Sequence, residues 1–271
     1  MVKFVCKILH EMRKIVQYLA CLFALSFFLP ACKKDKGNEN TEPTTTPTGS
    51  MRVKFHAMVS GDTATFNNNP FVNASGDTFT VSLLKYYVSN IVLTRSDDSK
   101  YSIPGSYFLV DHNTFMEDEF TIGGIPIGGY KQISFILGVD SAVNVSGAQA
   151  GDLDPAKGMF WDWNSGYIMS RLEGNSPTST AINKKIIFHI GGFSKPNNSL
   201  KTISIDFNGN IANISNSSTP LLHLKTDISE WFKTPNAINF STINTVMIPG
   251  AISNSIAENY ADAFSFQSIQ N

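Results

Sequence analysis

Cysteine is scarce in this chain of 271 residues, and so is charge. Only three cysteines are present, namely Cys6, Cys21 and Cys32. Charged residues make up 16% of the chain, against roughly 25% in an average soluble domain. The 21 basic and 22 acidic residues lack the basic surplus that binding to a phosphate backbone requires. We therefore predict no nucleic-acid partner.

The N-terminal region resembles the signal peptide of a bacterial lipoprotein. Arg13 and Lys14 precede an apolar run over residues 19–29, which is shorter than the roughly 20 residues of a membrane span. The run ends at LPAC, a lipobox-like sequence in which Cys32 would carry the lipid. We predict that Met12 is the true start and that residues 1–31 are removed. An ordinary secreted protein with a chance cysteine is the alternative.

The residues after this leader predict a tether and then a folded body. Residues 32–50 hold no large apolar side chain and are rich in Thr, Pro and charge, which is typical of a flexible linker. Residues 51–271 are predicted to form the folded domain. Because Cys6 and Cys21 leave with the leader, this domain has no disulfide, thiolate metal site or cysteine nucleophile. We expect it to be anchored in the bacterial cell envelope, facing the periplasm or the outer-membrane surface.

Alternation of apolar and polar residues predicts an all-β domain. Short apolar segments are separated by turn-forming stretches rich in Gly, Asn and Pro, which favours an antiparallel β-sandwich, Ig-like or jelly-roll-like. One or two short helices are predicted near the C-terminus, over residues 228–233 and 253–264. The predicted strands are residues 53–59, 78–84, 86–93, 107–111, 131–138, 167–172, 185–190 and 201–207.

The templates of common enzymes are missing from the sequence. It contains no HExxH, no GxSxG and no Gly-rich phosphate loop, and no acid–base pair can be named. We therefore predict a non-enzymatic protein.

Two of the histidines are candidate metal ligands. His56 shares a strand face with Met58, and an imidazole with a thioether favours copper. His189 ends an apolar strand before two glycines, where a ligand could approach closely.

Two further residue groups are candidates for a site. Trp161 and Trp163 are two positions apart, so an extended chain would project both rings to one side. Those rings could form a core plug or line a pocket, and residue chemistry alone leaves both open. A loop-like stretch also carries carboxylates that could supply calcium with oxygen ligands, although their spacing matches no EF-hand. These residues are Asp140, Asp152 and Asp154.

The sequence resembles the MbnP-like family over about residues 51–269. The segment GMFWDWNSGY (158–167) is the most specific part of the resemblance, and FHIGG (188–192) is the second. The remaining matching segments are YYVSN (86–90), YFLVD (107–111), LGVD (137–140), LDP (153–155), Gly250, IAENY (256–260) and Phe264. The resemblance implies a β-rich, extracytoplasmic protein.

Relatives in this family bind copper through histidines, together with a tryptophan oxidised to kynurenine by a diheme partner related to cytochrome c peroxidases. The resemblance therefore implies that His189 is a copper ligand and that Trp161 or Trp163 is the modified residue. Many relatives carry a histidine in the first strand where this chain has Ala57, with His56 one position earlier. A surface module that binds glycan or protein through the aromatic segment is the alternative function.

Overall fold

Extended strands dominate the computed structural model, which describes residues 46–67, 69–114, 118–163 and 166–271. Strands make up 46% of the structure. They are β1 (Thr48–Val59), β2 (Asp62–Thr63), β3 (Phe71–Val72), β4 (Thr78–Arg95), β5 (Lys100–Ser102), β6 (Tyr107–Asp111), β7 (Glu119–Pro126), β8 (Gly128–Leu137), β9 (Phe160–Trp161), β10 (Gly166–Tyr167), β11 (Ser170–Asn175), β12 (Lys185–Ile190), β13 (Lys201–Asp206), β14 (Ala212–Ile214), β15 (Leu221–Asp227), β16 (Thr245–Val246) and β17 (Phe264–Gln270). The α-helices are α1 (Ser141–Val145) and α2 (Ala251–Tyr260), and 3₁₀ turns span Gly151–Leu153, Pro155–Lys157, Ile182–Lys184 and Ile228–Phe232.

The first sheet has the order β17-β15-β1-β2, with β7 also paired to β1. Strand β1 shows why these residues form a half-buried strand. Its odd-numbered residues from Met51 to Val59 are buried, and the even-numbered residues between them are partly exposed. A period of two places one set in the core and the other on the outer face. Among the outer set are His56 and Met58.

The second sheet is built around β4 and has the order β13-β8-β4-β11-β12-β16. Strand β4 is 18 residues long and also pairs with β3, β5 and β6. Two strands are predicted there, over residues 78–84 and 86–93, and they form one strand instead. The chain continues through Lys85 and accommodates Asn90, at a positive φ of 52°, with a register shift between Ser89 and Val92.

The two sheets pack face to face around an aromatic core. The ring of Phe55 in the first sheet lies 5.7 Å from Tyr86 and 6.0 Å from Phe135 in the second, both edge to face. The same ring lies 6.1 Å from Phe264 of β17. Edge-to-face contacts at these distances are favourable, so the sheets share one core.

A smaller core covers part of the outer face of the second sheet. Tyr86 belongs to the main core, whereas Tyr87 belongs to the smaller one, because neighbouring strand residues point to opposite faces. The segment between β8 and β11 crosses this outer face and buries Met159, Trp161 and Tyr167 against it. This crossing brings the aromatic segment to the strand that carries His189.

The prediction of an all-β fold is confirmed in its β content, but the prediction of purely antiparallel sheets is wrong. Strand β1 runs parallel to β15, and β12 runs parallel to β16. Both pairs join segments that are far apart in the chain, so no hairpin dictates an antiparallel direction. Strands β7, β15 and β17, of seven or eight residues each, are missing from the predicted set, and so are the shorter strands β2, β3, β5, β9, β14 and β16.

The boundaries near both ends also differ from the prediction. The C-terminal helix ends at Tyr260, and Phe264 begins β17 rather than ending that helix. Strand β1 begins at Thr48, within the predicted linker, because its backbone pairs with β7 from Thr48 onward. The predicted leader, Cys32 and most of the linker lie outside the described residues. Within the described part of the chain, no helix is long and apolar enough to cross a membrane.

Candidate metal centre

His189 is held by a carboxylate on the neighbouring strand. Its ring lies on the face of β12 opposite the main core and is 7% exposed. The Nε2 atom lies 2.8 Å from Oε1 of Glu173 in β11. The hydrogen bond from His189, reinforced by Arg171, holds the pKa of Glu173 at about 2. Because the carboxylate is then ionised, the Nε2–H of His189 donates in this hydrogen bond, and Nδ1 is the ring nitrogen that Glu173 does not use.

Arg171 connects this pair to the aromatic segment. Its Nε and Nη2 atoms donate to Oε1 of Glu173 at 2.9 and 2.6 Å. Its Nη1 atom donates to the carbonyl oxygen of Gly158 at 2.6 Å. One guanidinium therefore fixes both the carboxylate that orients His189 and the start of the segment that carries the tryptophans.

Trp161 packs onto Gly191, two residues after His189. A Cβ atom at Gly191 would lie 2.5 Å from Cη2 and Cζ3 of the Trp161 ring, so the ring occupies the place of a side chain. The ring is 4% exposed. Its Nε1 atom is buried without a hydrogen-bond partner among the described residues. A buried N–H normally finds an acceptor, which makes this indole an exception.

Trp163 differs from Trp161 in its surroundings. The two ring centroids are 5.6 Å apart, yet the Trp163 side chain is 62% exposed. Strand β9 ends at Trp161 and Trp163 lies in the following turn, so the extended geometry assumed for both rings does not hold. One ring is a buried plug and the other is open to solvent.

His56 pairs with another histidine rather than with His189. Its Nε2 atom lies 2.8 Å from Nδ1 of His223, and the rings stack at 5.1 Å with 25° between their planes. Burial, followed by the neighbouring His223 and Lys54, lowers the pKa of His56. Burial and Lys54 likewise lower the pKa of His223. Both rings are therefore neutral at pH 7.

The structure does not bring His56 and Met58 to His189. The two strands belong to different sheets, and each side chain points away from the shared core. Met58 shares the outer face with His56 as predicted, but it lies level with Asp227, whereas His223 lies level with Lys54. The thioether is therefore displaced along the strand from the histidine pair.

The fourth histidine of the described residues, His112, is buried beside the main core. Its Nε2 atom lies 3.1 Å from the hydroxyl of Tyr86, which in turn lies 2.7 Å from Oγ1 of Thr226. Burial lowers the pKa of His112 to about 4. This residue is a neutral hydrogen-bonding partner inside the fold.

The three aspartates predicted as calcium ligands each accept a hydrogen bond from a different backbone segment. Asp140 accepts from the backbone N–H of Ala142 at 3.0 Å and caps α1. Asp152 accepts from the N–H of Leu109 at 3.1 Å. Asp154 accepts from the N–H of Ala156 at 2.8 Å. Within the described ranges, no group of three or more His, Cys, Asp or Glu side chains is arranged to hold a metal ion, and calcium binding stays a prediction.

Sequence reasoning missed Glu173, Arg171 and the pairing of His223. The pattern Arg171-Leu172-Glu173 alternates charged and apolar residues, which does place both charges on one face. Which histidine they meet depends on the register of β11 with β12, and in that register Arg171 stands opposite His189. Strand register of this kind is a tertiary property, so no local signal could have supplied it.

Comparisons with known proteins agree with this architecture. A model of the MbnP family matches residues 48–248 of the chain. MbnP from Methylosinus trichosporium has a similar structure, with a TM-score of 0.50 and 15% sequence identity over 76% of this chain and 83% of that one; at this identity the likeness concerns the fold alone. No curated protein matches the chain in sequence. Because the family match spans well over half of the residues and confirms the predicted resemblance, the chain belongs to the MbnP family.

Proposed function

We propose that this protein binds copper outside the cytoplasm, at a centre formed by His189 and Trp161. The observation that carries the proposal is the hydrogen bond between His189 and Glu173. Histidines that ligate metals usually donate their second ring N–H to a carboxylate, which fixes the ring and raises its basicity. Here Nε2–H is used in that way, and Nδ1 would face the metal.

The donor chemistry around His189 fits copper in one further respect. Trp161 is buried next to Gly191, and its Nε1 has no hydrogen-bond partner in the part of the chain that the structure describes. Oxidative opening of its ring to kynurenine breaks the C2–C3 bond and adds two oxygen atoms in a four-electron oxidation. Hydrolysis of the resulting formyl group then releases formate and leaves a carbonyl and an aniline nitrogen. Both groups are potential ligands or hydrogen-bond partners, whereas indole can only donate. We propose Trp161 as the modified residue and a diheme peroxidase-like protein as the source of oxidising equivalents.

A copper titration of the metal-free protein tests the centre. We expect the His189→Ala variant not to bind the copper that the wild type holds at this centre. Glu173→Gln should weaken binding by about 10–100-fold, as for other outer-shell partners. Glu230→Gln is the matched control for Glu173→Gln, because Glu230 pairs with Lys233 rather than with a histidine. Unchanged copper affinity in His189→Ala would exclude this centre.

Intact-mass and peptide measurements test the modification separately. Protein isolated with its natural partner should contain the kynurenine mass change in the peptide that carries Trp161, and protein expressed without that partner should contain tryptophan. Trp161→Phe should abolish the change. Modification found at Trp163 alone would contradict the assignment to the buried ring.

We further propose that Cys32 is lipidated and holds the domain at the bacterial cell envelope through the predicted linker. Metabolic labelling with a fatty acid should mark the wild type and leave Cys32→Ser unlabelled. Secretion of an unlabelled wild-type protein would favour the ordinary signal peptide instead.

A non-catalytic surface module is the second candidate function, and the exposure of Trp163 favours it. A ring that is 62% exposed beside a second aromatic ring could stack on a sugar. Trp163→Ala should then abolish binding on a glycan array and leave copper binding intact. If Trp163→Ala loses copper binding and the wild type binds no glycan, the metal centre alone would be favoured.

A further inference from the structure

The loop that joins β11 to β12 (residues 176–184) exposes an aliphatic side chain at its tip. Ile182 is 86% exposed, which makes it the most exposed large apolar side chain of the described residues. A single exposed isoleucine is ordinary on a protein surface, so its meaning depends on its surroundings. Here hydrogen bonds hold the loop in place, a cavity lies beside it, and the exposed charges have one sign.

Hydrogen bonds from two buried serines fix the base of this loop. The Ser176 hydroxyl donates to the carbonyl oxygen of Thr78 at 2.7 Å. The Ser179 hydroxyl donates to the carbonyl oxygen of Lys185 at 2.6 Å. Lys184 adopts a positive φ of 56°, which is uncommon for a residue with a long side chain, and strained residues of this kind cluster at functional sites. The loop therefore presents its tip from a fixed and locally strained backbone.

A cavity of about 400 Å³ lies beside the loop. Phe79 and Pro177 contribute to its apolar lining, and the exposed Lys184 also lines it. This volume is within the range of about 300–1,000 Å³ that ligand pockets occupy. Val72, which is 58% exposed, stands opposite Thr78 of the lining in the register of β3 with β4. The loop tip and the cavity together form an exposed apolar surface of the kind that marks interaction sites.

The exposed charges of the segments beside the cavity are positive. Residues 69–80 and 175–185 contain three charged residues, namely Asp77, Lys184 and Lys185. Asp77 is 4% exposed and accepts from the backbone N–H of Phe240 at 2.8 Å, so its carboxylate faces inward. The two lysines are exposed and donate to a backbone carbonyl and to an amide oxygen at 3.1 and 3.4 Å. Glu173, the next carboxylate along β11, is already bound by an arginine. A complementary partner is therefore acidic.

Charge and position favour another protein as that partner. A second copy of the chain, docked through this same surface about a two-fold axis, would bring like lysines together and repel. The predicted linker joins the domain where the N–H of Ile127 donates to the carbonyl oxygen of Pro47. That place is near the Arg95 end of β4, through the pairing of β4 with β8, whereas the cavity lies at the Thr78 end. The surface therefore lies at the end of β4 away from the proposed lipid anchor.

We propose that the tip of the β11–β12 loop and the cavity beside it form a docking surface for an acidic segment of another protein. An apolar side chain of that segment fills the cavity against Phe79, and Ile182 packs on the segment. Carboxylates that flank the apolar side chain pair with Lys184 and Lys185. The surface requires no residue of the proposed copper centre.

Peptide binding to the full chain tests this surface. The probe is a fluorescein-labelled peptide in which glutamates flank a single phenylalanine, and fluorescence anisotropy measures its binding. We expect Ile182→Ser to weaken binding by about 10-fold or more, because it removes an aliphatic contact. Lys184→Gln combined with Lys185→Gln should weaken it by about 5-fold, and added salt should weaken binding to the wild type.

Matched variants and peptides provide the controls. Val145→Ser removes an aliphatic side chain of α1 that is 70% exposed, Lys100→Gln removes an exposed lysine of β5, and both should bind the peptide as the wild type does. Peptides with glutamine for glutamate, or with alanine for phenylalanine, should bind more weakly. Ile182→Ser should melt with the wild type, because its side chain is exposed. His189→Ala should bind the peptide normally whether or not it has lost copper, so the two proposals are tested separately.

Several outcomes would overturn the proposal. They are the absence of peptide binding by the wild type, equal binding by Ile182→Ser, and equal binding of the glutamate and glutamine peptides. Dimerisation that Ile182→Ser abolishes, without peptide binding, would assign the surface to a second copy instead. Binding to phosphatidylglycerol vesicles that Ile182→Ser abolishes, again without peptide binding, would assign it to a lipid surface.

Discussion

Replacing Gly191 by alanine should dislodge Trp161 from its seat. The added Cβ atom would lie 2.5 Å from two atoms of the indole ring, where ordinary contacts begin at 3.4 Å. The same Cβ atom would also lie 3.2 Å from the backbone carbonyl oxygen of Tyr167, so it is crowded by the backbone as well as by the ring. The ring would have to retreat by about 1 Å, within a core of close-packed side chains.

The expected cost follows from this displacement. Adding a methyl group to a well-packed core typically costs about 1–3 kcal/mol. Gly191 does not adopt a positive φ, so the backbone adds no strain of its own. A loss of about 2 kcal/mol corresponds to a fall in Tm of about 4–8 °C for a domain of this size.

Thermal unfolding with a matched glycine provides the assay. Gly123 in β7 is exposed, and its added Cβ would meet a single atom at 3.8 Å, so Gly123→Ala should leave the Tm nearly unchanged. A smaller side chain at Trp161 should also suppress the effect, because Trp161→Leu removes the atoms that clash. Equal melting of Gly191→Ala and Gly123→Ala would refute the packing of Trp161 on Gly191.

Three other predictions concern stability. Trp161→Ala should lower the free energy of unfolding, measured in urea, by about 3–5 kcal/mol. Trp163→Ala, which removes an exposed ring, should lower it by about 0.5 kcal/mol or less. Equal losses would contradict the burial of Trp161 and the exposure of Trp163. Asn259→Ala should cost about 3 kcal/mol, because its buried amide makes three hydrogen bonds of 2.6–3.0 Å to backbone atoms; the same denaturation curve measures it, and a loss below that of Trp163→Ala would argue against those bonds. The folded pKa of Glu173, about 2, lies below its ordinary value of 4.5, so its contribution of about 2–3 kcal/mol is present above pH 4.5 and is lost as the pH falls toward 2. Glu173→Gln should flatten this part of the stability–pH profile, and an unchanged slope would exclude Glu173 as its source.

Local patterns account for most of the predicted strands. The alternation from Val53 to Val59 predicts β1 because burial of one face imposes a period of two, and β12 matches its predicted span of residues 185–190. Strand β15 has a similar alternation of buried and half-exposed residues, but the predicted strands do not include it. Its parallel pairing to β1 depends on a contact between distant segments, which no local pattern encodes.

The candidate site was predictable only in part, for the same reason. The segment FHIGG marks His189 and a glycine that receives another group, and the structure places Trp161 on that glycine. The carboxylate that orients His189 and the partner of His56 both lie on neighbouring strands. Their identity depends on strand register, which the sequence specifies only through the whole fold.

The pairing of β1 with β15 has a consequence for the chain during synthesis. One edge of β1 stays without its partner until the ribosome has added the 167 residues that separate His56 from His223. At about 5–20 residues per second, this interval is on the order of 10 s. An unpaired edge that alternates apolar and polar residues is a template for association with other chains. Until β15 is made, this edge of β1 is therefore open to association with other chains.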